Sequence, residues 1–275
     1  MTIMSALSLN TREQQIVVDK IKDRVISKFN FAADFSKLNA SKVDFTPGEV
    51  QAKEKLIGSQ FTVPIRTFEG LDGDVQYVEL KNSYFYNVAT KTKNTTLVKT
   101  LRQSTITNNE KLERIVNHIK AQGYSIKKEE EYVIQNEKTA FEKEVETYSE
   151  STKLFILPIY KKEVEIGLLA IDEGSNIPVA FIDQERTFIN EDNEIVTIQA
   201  NTCSLKWAKC MDQELCYGIV DCLIWGSSCI SMCCSCANPL ICIGCISCGV
   251  KLAKAAWTCR MCVSNASRPN ECPVK

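Results

Sequence analysis

Residues Cys229 to Val250 read "CISMCCSCANPLICIGCISCGV", with seven cysteines and no charged side chain. This stretch decides the architecture because nothing like it occurs upstream. Residues 1–202 hold no cysteine, and all fourteen fall between Cys203 and Cys272. Fourteen cysteines among the 73 residues of 203–275 is about 19%, above the roughly 8–10% that marks a disulfide scaffold in a short secreted chain.

Charge divides at the same place. Residues 203–275 carry seven Lys/Arg and four Asp/Glu, a net +3, which leaves 26 basic and 30 acidic residues, a net −4, for the rest. Two domains are therefore expected, 1–201 and 202–275. Ala200, Asn201 and Thr202 are small or polar residues between the last alternating strand and the first cysteine, an expected place of exposure and cleavage. Neither part has the basic stripe with interleaved aromatics of a nucleic-acid binder, so none is expected as a partner.

Two chemistries compete for the cysteines, which are Cys203, Cys210, Cys216, Cys222, Cys229, Cys233, Cys234, Cys236, Cys242, Cys245, Cys248, Cys259, Cys262 and Cys272. The spacing Cys242-x-x-Cys245-x-x-Cys248 opens like a ferredoxin cluster motif, and Cys233/Cys236 and Cys259/Cys262 are zinc-type pairs. However, "GVKLAKAAW" stands where the fourth ferredoxin ligand belongs, and Ile and Leu flank the thiols. Disulfides fit better. The number is even, no histidine lies nearby, and a chain of this size buries too little surface to hold without staples. No cofactor or metal is then expected. The alternative that stays open is an intracellular zinc- or Fe–S-binding protein with an α/β accessory domain.

From Cys222 to Val250 there are 29 residues without charge. That is long enough to span a bilayer, but "ANP" at 237–239 breaks it into two short apolar arms. A small, disulfide-rich, mainly α-helical C-terminal domain is expected, amphipathic enough to engage a membrane.

Residues 1–201 read as an α+β domain, an antiparallel sheet with one or two packed helices. Asn10 or Thr11 can cap a helix bearing Val17, Val18, Ile21, Val25 and Phe29. A second helix is expected over "TNNEKLERIVNHIKAQG", with Thr107 and Glu110 at capping-box spacing, a stripe of Leu112, Ile115, Val116 and Ile119, and Gly123 as its stop. "KLNASKVDFTPGEVQ" reads as a loop leading into a short helix. Strands are expected at "FTVPIR", "VQYVELKNSYFYNVAT", "YSIKKEEEYVIQ", "KLFILPIYKK", "EVEIGLLAID", "IPVAFID" and "EIVTIQAN", with turns at "EGLDGD", "DEGSN" and "NEDN" and no internal repeat.

Catalytic chemistry is thin. His118, the single histidine, sits beside the apolar stripe of its helix and reads as a solvated flank residue. The carboxylates at 129–131 and 191–194 read as solvated faces, and "GLDG" lacks the length and Lys of a phosphate loop. The protein is not expected to be an enzyme.

A cysteine-free part of about 200 residues precedes an apolar, cysteine-dense part containing "CSLKWAKCMDQELCYGIVDCLIWGSSC" and "CIGCISCGV". This layout resembles the precursors of the halocin C-eight type of bacteriocin. The resemblance implies a secreted, disulfide-bonded antimicrobial miniprotein acting at a target cell's membrane or envelope, and an N-terminal part that stays in or on the producer and confers immunity by binding it. Two features depart from that pattern. "MTIMSALSLNTREQQ" is not a recognisable export signal, which leaves the export route open, and the composition is not acidic, which points to a bacterial source.

Overall fold

A computed structural model describes residues 10–45, 56–67, 72–80, 82–107, 109–182, 187–189 and 195–197. The fourteen cysteines, the cleavage region at Ala200–Thr202, the carboxylates at 191–194, the turn at "NEDN" and the expected helical C-terminal domain all lie outside them.

The chain opens on helix α1 (Thr11–Arg24), held by a reciprocal cap. Asn10 Oδ1 accepts the Glu13 amide and Glu13 Oε2 accepts the Asn10 amide, both at 3.0 Å. Val17 and Ile21 are its buried stripe. Then come β1 (Phe31–Ala33), β2 (Asn39–Phe45), β3 (Leu56–Thr67), β4 (Asp72–Glu79) and β5 (Ser83–Thr92). Helices α2 (Thr95–Ile106) and α3 (Glu110–Ala121) interrupt the strands, and β6 (Ser125–Ile126), β7 (Tyr132–Glu142), β8 (Val145–Lys161), β9 (Val164–Asp172), β10 (Pro178–Ile182), β11 (Thr187–Ile189) and β12 (Ile195–Thr197) follow.

All twelve described strands form one sheet in the order β1-β3-β4-β5-β7-β8-β9-β10-β11-β12, with β2 beside β3 and β6 beside β8. Every pairing is antiparallel. The α+β class and the antiparallel sheet are as the sequence led one to expect. Four details differ. The segment read as a loop into a helix contains β2. A third helix, α2, is present, capped by Asn94 Oδ1 on the Thr96 and Leu97 amides. The cap of α3 is Asn109, whose Oδ1 accepts the Leu112 amide, rather than Thr107. "GLDG" runs into β4, where a Cβ on Gly73 would sit 2.2 Å from the Ala89 carbonyl oxygen, so that glycine serves strand contact.

A fifth difference is a short structural repeat. "FEKEVE" (141–146) and "YKKEVE" (160–165) close the β7–β8 and β8–β9 hairpins. Lys143 and Glu144 have φ of 49° and 65°, and Lys162 and Glu163 have 49° and 66°, left-handed at both central positions as a type I′ turn requires. A register shift follows each turn at the same step. Each turn glutamate takes a cation from the segment after a helix stripe, Arg24 on Glu144 and Lys127 on Glu163.

Candidate functional site

Antiparallel partners share a face, so the register sorts every strand residue onto one side or the other. One side carries Phe61, Val63, Val75, Tyr77, Tyr86 and Val88, which pack with Val17 and Ile21 of α1 and with Val25 just after it. Further along the same side, Val133, Phe155, Leu157, Leu169, Ile171 and Ala180 pack with Val98 and Leu101 of α2 and Leu112, Ile115 and Ile119 of α3. Continuity of the pairings from Val88 through Glu137 and Gln135 to Val133 puts both cores, and all three described α-helices, on one face.

The opposite face is the unexpected one. Between the two helix-covered cores, the helix side of β7 and β8 is open, and Gln135, Ser149 and Ser151 are exposed. On the other side of the same strands Asn136 and Lys138 are only 2% and 1% exposed. A polar side chain on the side without a described helix is thus better shielded than its neighbours on the helix side.

The shielded residues form a stripe across the strands. One rung runs Gln76, Asn87, Lys138, Glu150, the next Asp74, Ala89, Asn136, Thr152, and the flanking one Gln60, Val78, Phe85, Ala140. Asn87 Nδ2 donates to Gln76 Oε1 at 2.9 Å. Gln60 Oε1, Gln76 Nε2, Asn87 Oδ1 and both amide atoms of Asn136 are buried without a hydrogen-bond partner. A buried amide group left unmet costs about 1–3 kcal/mol, so four such side chains in one stripe are a large expense for a sheet that needs only apolar contact. Asp74, Lys138 and Glu150 are all engaged in polar or electrostatic interactions.

Toward β9 and β10 the same face turns apolar, with Leu154, Ile156, Leu168, Ala170, Val179 and Phe181 all buried. A second cluster marks its rim. Lys91 Nζ stands 3.8 Å from the Tyr132 ring centroid, and burial holds its pKa below the usual lysine value. Tyr160 donates to Glu130, a bond that, ahead of the Lys127 charge, keeps that carboxyl below its ordinary range. Lys127 Nζ lies 4.3 Å from the Tyr160 centroid and 2.6 Å from Glu163 Oε2. Burial, first of its causes, pushes the hydroxyls of Tyr132 and Tyr160 up in pKa.

His118 pairs with Gln122 across one turn of α3 at 2.9 Å, a local helix contact rather than part of a site. The acidic run at 129–131 is not a plain solvated face, since Glu130 takes the Tyr160 hydroxyl and Glu131 pairs with Arg102. An open polar cleft of about 380 Å³ lies where α2 meets α3, lined by Thr105, Asn109, Arg114 and Asn176 among others. Asn109 Nδ2 fills its own needs there on the Thr105 and Asn176 carbonyls at 3.0 Å. Among the described residues no group of three or more His, Cys, Asp or Glu is placed to hold a metal, and no helix is long and apolar enough to cross a membrane. No known family, curated protein or solved structure matches the chain.

Proposed function

We propose that the chain is the precursor of a secreted, disulfide-stapled bacteriocin comprising residues 202–275, with residues 1–201 serving as its leader and immunity protein. The observation that carries this reading is the segregation of chemistry along the chain. The sheet domain is built without a thiol, its last described strand ends at Thr197, and all fourteen cysteines begin six residues later. A part that works alone outside the cell needs staples, and a part that stays as a binding partner does not. The domain acts by binding, not by bond chemistry. Cleavage in Ala200–Thr202 frees the C-terminal product, which meets the membrane or envelope of a competing cell. Lys206, Lys209, Lys251 and Lys254 flank the apolar arms and meet carboxylates only at the rim of the complex. Exposed pairs of that kind contribute about 0–1 kcal/mol each, so binding survives moderate salt.

The test is the mass and thiol count of the purified C-terminal product. Seven bridges lower the mass by about 2 Da each and leave no alkylatable thiol. Stoichiometric zinc or iron with fourteen titratable thiols would instead establish the metal-binding alternative. Growth of a sensitive strain with added 203–275, with and without residues 1–202 expressed inside it, then tests killing and immunity. Equal inhibition in both cultures would overturn the immunity role.

A further inference from the structure

We infer that residues 203–275 dock on the sheet face opposite the helices, with the amides of Gln60, Gln76, Asn87 and Asn136 turned toward peptide groups of that segment. The inference rests on the proposed function for the consequence of docking, namely immunity, while its physical basis is the sheet itself.

Four observations converge on this occupant. First, the face is shielded from solvent over β3, β4, β5 and β7 to β10, yet α1, α2, α3 and the 3₁₀ turns bearing Ile26 and Phe35 all pack with the other face. Second, size selects the cover. Seven adjacent strands span about 29 Å. Outside the described residues the other stretches are ten residues or shorter, and an extended ten-residue segment is about 33 Å long but only one chain wide. A folded unit of 73 residues has a radius of gyration of about 11 Å, hence about 28 Å across.

Third, position allows it. The sheet ends on β10, β11 and β12, beside the apolar half of this face, and Cys203 follows Thr197 by six residues, within about 20 Å of extended chain. Fourth, the chemistry is complementary. The 29 residues from Cys222 to Val250 have no charge to bury, and their apolar side chains suit Leu154, Ile156, Leu168, Val179 and Phe181. Each Asn or Gln amide offers both a donor and an acceptor, which is what a strand edge or an uncapped helix end of a partner needs. A sheet rolled over onto its own apolar surface would have no use for an amide stripe.

Docking there also gives the immunity role a physical form. The arms that would enter a membrane are the ones lying on the sheet. Tethering keeps them at high effective concentration until cleavage.

Photo-crosslinking of the full chain tests this. A benzophenone amino acid replaces Phe181 on the docking face or, as control, the half-exposed Ile16 of α1. We expect cross-links from position 181 in peptides of 203–275 and none there from position 16. Cross-links from 181 confined to residues 10–197, or joining two copies, would overturn the inference. The amide stripe has its own test in full chains carrying a protease site in 198–202. After cutting, the double variant Asn87→Leu/Asn136→Leu should release 203–275 at least tenfold faster than the parent, with hydrogen exchange in β3 to β9 unchanged. Equal release would remove the stripe from the contact. Killing by freed 203–275 is read separately. Its absence sinks the antimicrobial reading while a positive cross-link still stands.

Discussion

The two faces of the sheet are built by different rules. The helix face is apolar where helices cover it and solvated where they do not, the ordinary logic of one buried side. The opposite face is buried throughout its middle yet carries Gln60, Gln76, Asn87, Asn136 and Lys138 at 2% exposure or less. A domain core is sorted for transfer out of water. A recognition surface also needs groups that choose their partner, and it keeps them even where they weaken the domain by itself. On the docking inference, the helix face specifies the fold and the opposite face specifies its partner.

The largest expected effect separates the faces directly. Phe155, 0% exposed under α2, and Phe181 on the far face are both buried aromatics. Phe155→Ala should cost about 3–5 kcal/mol, equally in the intact chain and in the domain left after cleavage at 198–202, read from urea midpoints. Phe181→Ala should approach that cost only while residues 203–275 are attached. An equal cost before and after their removal would show that the far face has a cover of its own within 10–197.

Next in size is Asn136→Leu. Exchanging an amide that pairs with 203–275, as the docking inference has it, for an isosteric hydrocarbon forfeits hydrogen bonds of about 1 kcal/mol each. The intact chain should lose about 1–2 kcal/mol while the separated domain changes by less than roughly 0.5 kcal/mol. A gain in the intact chain would mean that the Asn136 amide is an uncompensated interior group, and the contrast between the faces would weaken.

These residues were hidden in the sequence for a physical reason. Gln76 and Asn87 each stand between apolar neighbours, the pattern of a strand with one solvated face, and Asn136 and Lys138 lie in the wholly polar run "QNEKT". Only register shows that these side chains, from three strands, line up on one buried stripe. Local chemistry, by contrast, was legible. The Asn10 cap, the Leu112–Ile115–Ile119 stripe and the stop at Gly123, whose φ is +81°, carry their own signals. Helix α2 was not legible because "TTLVKTLRQSTI" is rich in β-branched threonine, a weak helix former. Its signal was Asn94, a cap lying close after strand β5. The hairpin at 143–144 carries no turn signal, and at 162–163 only the break between two strands is legible, because Lys-Glu replaces the Asn-Gly expected of this geometry and the repeat is only six residues long.

Those hairpins supply a smaller test, because each holds a turn glutamate beside a cation. A non-glycine residue at positive φ costs about 1–2 kcal/mol, and asparagine relieves part of that. Lys143→Asn and Lys162→Asn should therefore each stabilise the fold by roughly 0.5 kcal/mol, leaving the Arg24–Glu144 and Lys127–Glu163 pairs in place. Thermal midpoints measure it. A gain at one corner alone would show that the two turns are alike in backbone only.

The smallest effect belongs to Glu137, on the helix side of β7 in the open gap between the two cores. Burial first, and then the nearby Glu146 charge, raise its pKa above the ordinary 4.5, with Lys28 opposing them. The native state therefore holds this proton more tightly than the unfolded chain does. Between pH 4.5 and the raised value the native state binds more protons, so stability falls as pH rises through that window and stays lower at pH 7. Glu137→Gln cannot ionise, and it keeps nearly the same shape. Its advantage over the parent should be greater at pH 7 than at pH 4, in urea midpoints taken at both. A Glu137→Gln advantage that is the same at both pH values would mean that the gap on the helix side is solvated enough to leave this carboxylate at ease. The two faces would then differ even more sharply than the buried stripe implies.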